Sequence, residues 1–299
     1  MRVTERGMTR TILTDLMANR GRLERLHEQL SSGSRINRPS DDPGGTVTAM
    51  QITSTLSEIE QFRSNASMAR DWLSATESVL SETGDASNRL RELAVSGATD
   101  TMPQESLDAM ADEVSEIRDH LFALANTQHV GRYIFGGYRT DEQPFVHDAG
   151  EEPPFVYQGD DGRITRQVGP GVEVQVNVTG EEGSGEGLFP DLLGTAAEVE
   201  DALRAGDKDS LNAAIEELDL RQDEALSLRS RVGSRVNRIE MSEGRLEDLK
   251  ISLTRAYSET ADVDMAEAIM ELSMTERAYN VSLATGARIL PQTLLDYLR

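Results

Sequence analysis

No cysteine occurs anywhere in the chain, which removes disulfides, thiolate metal sites and thiol nucleophiles by inventory. Aromatic residues make up 4% of the sequence, a scarcity that suits long solvent-washed helices better than a thick globular core. Long apolar runs are missing too: nothing approaches the ~18 residues of a membrane span. Met1 to Leu26 is broken by Arg and Glu too often to hold the apolar stretch of a signal peptide, so any export is expected to cleave no signal. Positive charge is in deficit, with 30 Lys and Arg against 53 Asp and Glu, a net of -23. That field repels phosphate backbones and anionic lipid, so neither nucleic acid nor a membrane is an expected partner. Lys208 and Lys250 are the only lysines, a bias that a GC-rich genome or life in salt would each produce.

What the chain does have is heptad spacing. Ile12, Leu16, Leu23, Leu26 and Leu30 fall at alternating steps of three and four, with Asn19 as a polar interruption, and predict half of a coiled-coil seam. After a loop around Arg35 to Gly45, Ile52, Ile59, Ala66, Leu73 and Leu80 recur every seven residues, with Leu56 on the same side. That helix is expected to end near Gly97. Thr101 then offers an N-cap, Pro103 fits the first turn, and Gln104 would close a capping box ahead of Leu107, Met110, Val114, Ile117, Leu121 and Leu124.

The pattern breaks between residues 131 and 194, where over half of the glycines and five of the nine prolines fall. Short alternating runs at Arg132 to Tyr138, Pro154 to Gln158, Arg163 to Val168 and Val172 to Val178 predict strands. Heptads then resume: Leu211, Leu218, Ala225, Val232, Ile239, Leu246 and Leu253 keep a strict interval, and Met265, Ile269, Leu272, Tyr279, Leu283 and Leu290 follow until Pro291 stops the helix. The expectation is a mainly α, elongated fold with a β-rich insertion. It divides into an N-terminal coiled-coil segment and linker (1–45), a first part of a helical bundle (46–130), the insertion (131–194), the second part of the bundle (195–260) and a C-terminal coiled-coil segment (261–299). The two terminal stripes would pair antiparallel. They have little else to pack on, so Ile12 to Leu30 and Ile269 to Leu290, with Leu294 beyond, are the predicted assembly interface.

Two motifs carry a family resemblance. Leu30-Ser31-Ser32-Gly33-Ser34-Arg35-Ile36-Asn37 followed by Arg38-Pro39-Ser40-Asp41-Asp42-Pro43 resembles the N-terminal signature of the bacterial flagellin family, and its prolines are closer to the hook-associated and junction members than to filament subunits. Gly131-Arg132-Tyr133-Ile134-Phe135-Gly136-Gly137, leading to Thr140 and Pro144-Phe145, is similar to the start of the variable domain in junction members. The end of the chain, Leu290-Pro291-Gln292 and Leu294 to Arg299, is similar to the terminal helix of both. The similarity covers about 1–145 and 195–299.

The resemblance implies a secreted structural subunit of the extracellular flagellum, exported through the type III channel and active in no catalysis. Its implied partners are a hook-associated protein on the hook side, flagellin, further copies of itself in a ring, and an export chaperone on the C-terminal helix. It also implies terminal segments that are loose in the free subunit and ordered on assembly. The physical reason is that a lone helical hairpin buries too little to offset the entropy of ordering its backbone. A filament subunit is the alternative.

Other chemistries find little support. His27-Glu28 lacks the second ligand of a zinc-protease helix because position 31 is Ser31, and His120, His129 and His147 have no ligand-spaced partners. Asp41-Asp42 could be read as a metal or acid/base pair, but flanking prolines and a following helix favour capping, or pairing with Arg35 and Arg38. Gly180 to Gly187 lacks the Gly-Lys-Ser/Thr ending of a phosphate loop. Asn65, Asn177 and Asn280 begin glycosylation sequons, a pattern common by chance. A secreted hydrolase with a cation at Asp160-Asp161-Gly162 and a generic coiled-coil scaffold are the rival classes; no metal or cofactor is expected.

Overall fold

The computed structural model describes residues 5–99, 102–147, 155–179 and 187–289. Six helices and six short strands follow one another: α1 (Glu5–Ser32), α2 (Pro43–Gly97), α3 (Gln104–Ala125), β1 (Gln128–His129), β2 (Arg132–Tyr133), β3 (Phe145–His147), β4 (Phe155–Tyr157), β5 (Thr165–Gly169), β6 (Val172–Gln175), α4 (Leu188–Ala205), α5 (Lys208–Ala261) and α6 (Met265–Ile289). The chain divides into two compact units, one of residues 1–58 and 249–299, the other of 59–248.

In the larger unit the seven-residue intervals become buried seams. Ala66, Leu73 and Leu80 of α2 and Leu218, Val232, Ile239 and Leu246 of α5 are all buried. Ion pairs Arg63–Glu247, Arg70–Glu243, Arg229–Glu77 and Arg91–Asp219 advance along α2 while going back along α5, which makes the two helices antiparallel. Carrying that register inward sets Leu73 against Ile239, Leu80 against Val232 and Ala94 against Leu218. These salt bridges are half-exposed and individually worth little; repeated along one edge, they select register. Helices α3 and α4 pair in the same antiparallel sense through Arg118–Glu200 and Arg204–Asp112.

Two helix boundaries differ from the heptad reading. Thr101 lies outside the described residues, and Pro103 occupies the N-cap of α3 with no side-chain cap. Gln104 turns away from a capping box: its amide donates to Asp108 at 2.9 Å and to the carbonyl of Arg204 at 3.0 Å, closing the end of α4 instead. Helix α4 begins at Leu188, inside the stretch expected to be insertion. Leu188, Phe189, Leu192 and Leu193 are all buried there, and their continuous apolar run hides the 3.6-residue period.

Among the described residues, the insertion and the two residues of β1 ahead of it form three separate two-stranded antiparallel sheets, β1-β2, β3-β4 and β5-β6. None has enough strands to be stable alone, so each rests on the bundle. Phe189 of α4 meets Phe135 at 4.8 Å and Phe145 at 5.6 Å between ring centroids. Asn126, the C-cap of α3, donates to the Phe145 carbonyl and accepts from its N–H, both at 3.1 Å. Ser242 of α5 donates to the Val168 carbonyl and Asn65 of α2 to that of Gln167. The Asn177 side chain is fully buried, accepting from the Ile164 N–H and donating to the Gly162 carbonyl. That burial excludes a glycan at Asn177 in the folded chain.

Truncating Phe189 removes the ring on which Phe135 and Phe145 meet. Phe189→Ala is expected to cost about 3–5 kcal/mol in urea unfolding, with loss of native near-ultraviolet dichroism around the strands.

Candidate assembly interface

The smaller unit is built on the pairing of α1 with α6. A Cβ placed on Gly286 would lie 3.2 Å from Ile12 Cγ2, so those two residues oppose each other. Ser34 and Asp262 form an antiparallel bridge at the other end. Carried between these anchors in steps of three and four, the register sets Leu16 opposite Ser282, Asn19 opposite Tyr279, Leu23 opposite Thr275, Leu26 opposite Leu272 and Leu30 opposite Ala268. None of these twelve seam residues is exposed. Large side chains on α1 thus face small or polar ones on α6 at four of six layers, and Leu26–Leu272 is the one layer of two leucines. Such a seam brings the backbones close but buries little per turn.

The predicted α1 stripe, Ile12, Leu16, Leu23, Leu26 and Leu30, lies wholly in this seam. On α6 only Leu272 and Tyr279 do. Ile269 and Leu283 are 52% and 44% exposed beside it, and Ala268, Thr275, Ser282 and Gly286 take their places. Apolarity was the wrong criterion on α6, because the close approach of α1 selects for smallness. Met270, Met274 and Val281 form a further apolar stripe away from α1, each more than 60% exposed. Leu290 and Leu294 lie outside the described residues.

The turn after α1 latches onto the turn between α5 and α6. The Arg35 N–H donates to the Ala261 carbonyl at 2.7 Å and the Val263 N–H to that of Gly33 at 3.0 Å. The Arg35 guanidinium donates to the Thr260 carbonyl at 2.6 Å and pairs with Asp42 at 3.2 Å. Two unsatisfied helix ends are thereby supplied with partners. Asp42 also caps α2, accepting from the Gly45 N–H at 2.9 Å just ahead of Pro43, whose ring suits the first helical position. Asp41 accepts the Arg38 N–H at 2.9 Å, and Arg38 pairs with Glu28 at 3.2 Å. Asn37 donates to the Ser34 carbonyl at 3.3 Å. Ile36 is half-buried and Pro39 exposed. Asp264 caps α6 through the N–H groups of Ala266 and Glu267; Asp264 followed by Glu267 at capping-box spacing is the sequence signal that the heptad reading passes over.

The second motif works in the larger unit. Phe135 is buried against Phe189. Gly137 has φ +66°, and a Cβ there would collide with the Asp160 carbonyl. Asp160 accepts from the N–H groups of Tyr138 at 2.6 Å and Gly162 at 2.9 Å, while Tyr157 Oη lies 2.9 Å from both the Phe135 and the Asp160 carbonyls and donates its one proton to either. Gly136 is also tight, against the Arg139 carbonyl. Asp160 is therefore committed to holding a loop, and among the described residues no three His, Asp or Glu side chains are grouped to hold a metal.

Residues 3–140 match the family model for the bacterial flagellin N-terminal helical region, and residues 215–298 match that for the bacterial flagellin C-terminal helical region. The chain is 27% identical to flagellar hook-associated protein 3 of Escherichia coli over 85% of this chain and 86% of that one. It is 25% identical to flagellin of Bacillus subtilis over the full length of both. Among solved structures, that of Bacillus cereus FlgL is similar with a TM-score of 0.60 and 25% identity, over 70% of this chain and 99% of that one.

The hydrogen bonds from Gly45 and then from Arg35 hold the Asp42 carboxyl below the usual carboxylate range. Because folding lowers this pKa, the stabilisation is complete above the unfolded value and is lost as pH falls through the folded one. The protection factor of the Gly45 amide, taken relative to intrinsic exchange at each pH, is therefore expected to hold at neutral pH and to fall in acid as Asp42 takes up its proton. Asp42→Ala should remove that protection at every pH and lower the thermal unfolding midpoint, read by amide exchange and thermal unfolding.

Proposed function

Since the chain belongs to the bacterial flagellin family, we propose that it is the structural subunit that joins the hook-associated zone to the flagellin filament. The observation that carries this reading is the double use of α6. One face is small-residued and closes on α1; the others expose Ile269, Leu283, Met270, Met274 and Val281 to solvent. Exposed apolar residues in such number on one helix mark a surface that is covered by something else. The occupants are the terminal helices of neighbouring subunits, which complete a shared inner tube with the hook-associated protein below and flagellin above. Before assembly the same stripe is where an export chaperone would bind. Pro39 and Pro43 and the run Gly131 to Gly137 favour a junction subunit over a filament subunit, the alternative reading.

The weak α1–α6 seam fits this role. A chain held by separable helical seams, without disulfides, can be threaded unfolded through an export channel and reach its final stability only in the assembly. Amide exchange on the isolated monomer is accordingly expected to be fast along α1 and α6 and slow along α2 and α5, with the terminal protection rising by orders of magnitude on assembly. Equal protection in the free monomer would overturn the account.

Deleting the gene is expected to leave cells with hooks that shed flagellin into the medium and do not swim; normal filaments on such cells would refute the junction role. The purified chain should also fail to extend into long filaments from seeds, as a flagellin would. Val281→Glu, on an exposed position, is expected to leave monomer unfolding within about 0.5 kcal/mol of the parent while abolishing motility.

A further inference from the structure

The outward stripe of α6 is apolar, and two of its three members are thioethers. Met270 and Met274 are 61% and 63% exposed. Steps of four and seven residues place them with Val281 on the side of the helix turned away from the seam of Leu272, Thr275 and Tyr279. Their sulfurs therefore stand in water and take no part in closing α6 on α1. Met102 and Met110, by contrast, are half-buried against the core of the larger unit. Other methionines are exposed as well, Met241 of α5 at 70% among them, so exposure alone does not single out the α6 pair. What distinguishes it is its place on the face that the junction reading assigns to neighbouring subunits. The chain also holds no cysteine, so no thiol of its own intercepts an oxidant before it reaches these sulfurs.

We propose that Met270 and Met274 are modification sites, at which oxidation to methionine sulfoxide bars the subunit from assembly while leaving its fold intact. The oxidant is a hydroperoxide. A sulfur lone pair attacks its terminal oxygen, the S–O bond forms and the O–O bond breaks. The departing oxygen takes the proton of the attacked one and leaves as water or an alcohol. Sulfur loses two electrons and the peroxide gains them. Reversal needs a dithiol from outside the chain, which removes the oxygen as water and becomes a disulfide. Such reductants are maintained in the cytoplasm and not in an oxidising exterior, so a subunit oxidised after export keeps the mark. A sulfoxide is polar and accepts hydrogen bonds strongly. Burying two of them in an apolar contact opposes association, whereas on the free helix they remain hydrated. The inference rests on the junction reading above and adds to it a chemical condition on the joining face.

The test treats the purified full-length protein with hydrogen peroxide, locates each sulfoxide by peptide mass spectrometry and offers the protein to hooks of the deletion strain. Untreated protein is expected to bind and to restore filament growth. Protein oxidised at Met270 and Met274 should bind at least about tenfold less and recover after treatment with methionine sulfoxide reductase and a dithiol. The variant Met270→Leu with Met274→Leu, close to the parent in volume and helix propensity, should go on binding after the same peroxide treatment. Met241→Leu should be inactivated like the parent. Oxidised parent and oxidised double variant should also share one thermal unfolding midpoint, since they differ only at the two sulfurs. Oxidised parent that binds normally, a double variant that peroxide inactivates as fully as the parent, or a lower midpoint for the parent would each overturn the inference and leave the junction reading standing. Untreated protein that does not bind hooks would bring down the junction reading, and the inference with it.

Discussion

Antiparallel register is the constraint on which the described structure depends. In each unit, pairs of helices bury one stripe against another, and a heptad stripe accommodates a slip of seven residues almost as well as the native alignment. Apolar burial alone therefore leaves the alignment open. In the larger unit the ion pairs along one edge of α2 and α5 exclude the slipped arrangements, since a shift would set Arg70 and Glu77 against the wrong partners. In the smaller unit size contributes to this, because a Cβ at position 286 would press to 3.2 Å of Ile12.

The N-terminal signature is best understood as a device for satisfying backbone groups. Three helix ends, those of α1, α2 and α5, meet near it and would otherwise leave carbonyls and amides unpaired. Arg35 serves the end of α5 and steadies Asp42, which serves the start of α2. A lysine at Arg35 could not make both contacts, lacking a planar fork of donors. The second signature is a packing device: Gly136 and Gly137 let the chain turn against Asp160 and deliver Phe135 to Phe189.

Energetically the two units are unequal by design of their sequences. The larger one buries leucine, valine, isoleucine and phenylalanine from bundle and insertion in a single core. The terminal pair buries mostly one large residue per layer against a small one, while spending its remaining apolar residues on outward faces. In the junction role proposed above, such a distribution would withhold stability from the monomer and release it at assembly, where neighbours would meet the cost of ordering the helices.

Much of this was legible in the heptads. The stripes from Ala66 to Leu80, from Leu211 to Leu246 and from Ile12 to Leu30 are core or seam because seven-residue spacing survives whatever a helix packs against. Four strands, β2, β4, β5 and β6, overlap the runs read from glycine, proline and alternation, whereas β1 and β3 fall outside them. Tertiary structure alone decided the rest. It turned Gln104 from a cap of its own helix into a cap of α4, moved the α6 seam from Ile269 and Leu283 to Ala268, Thr275, Ser282 and Gly286, and drew Asp160 into a loop contact. It also set Trp72 and Val130 along one cavity. Periodicity reports which side of a helix avoids water; how close the neighbour comes, and therefore whether a large or a small residue belongs there, is set by a partner distant in the chain.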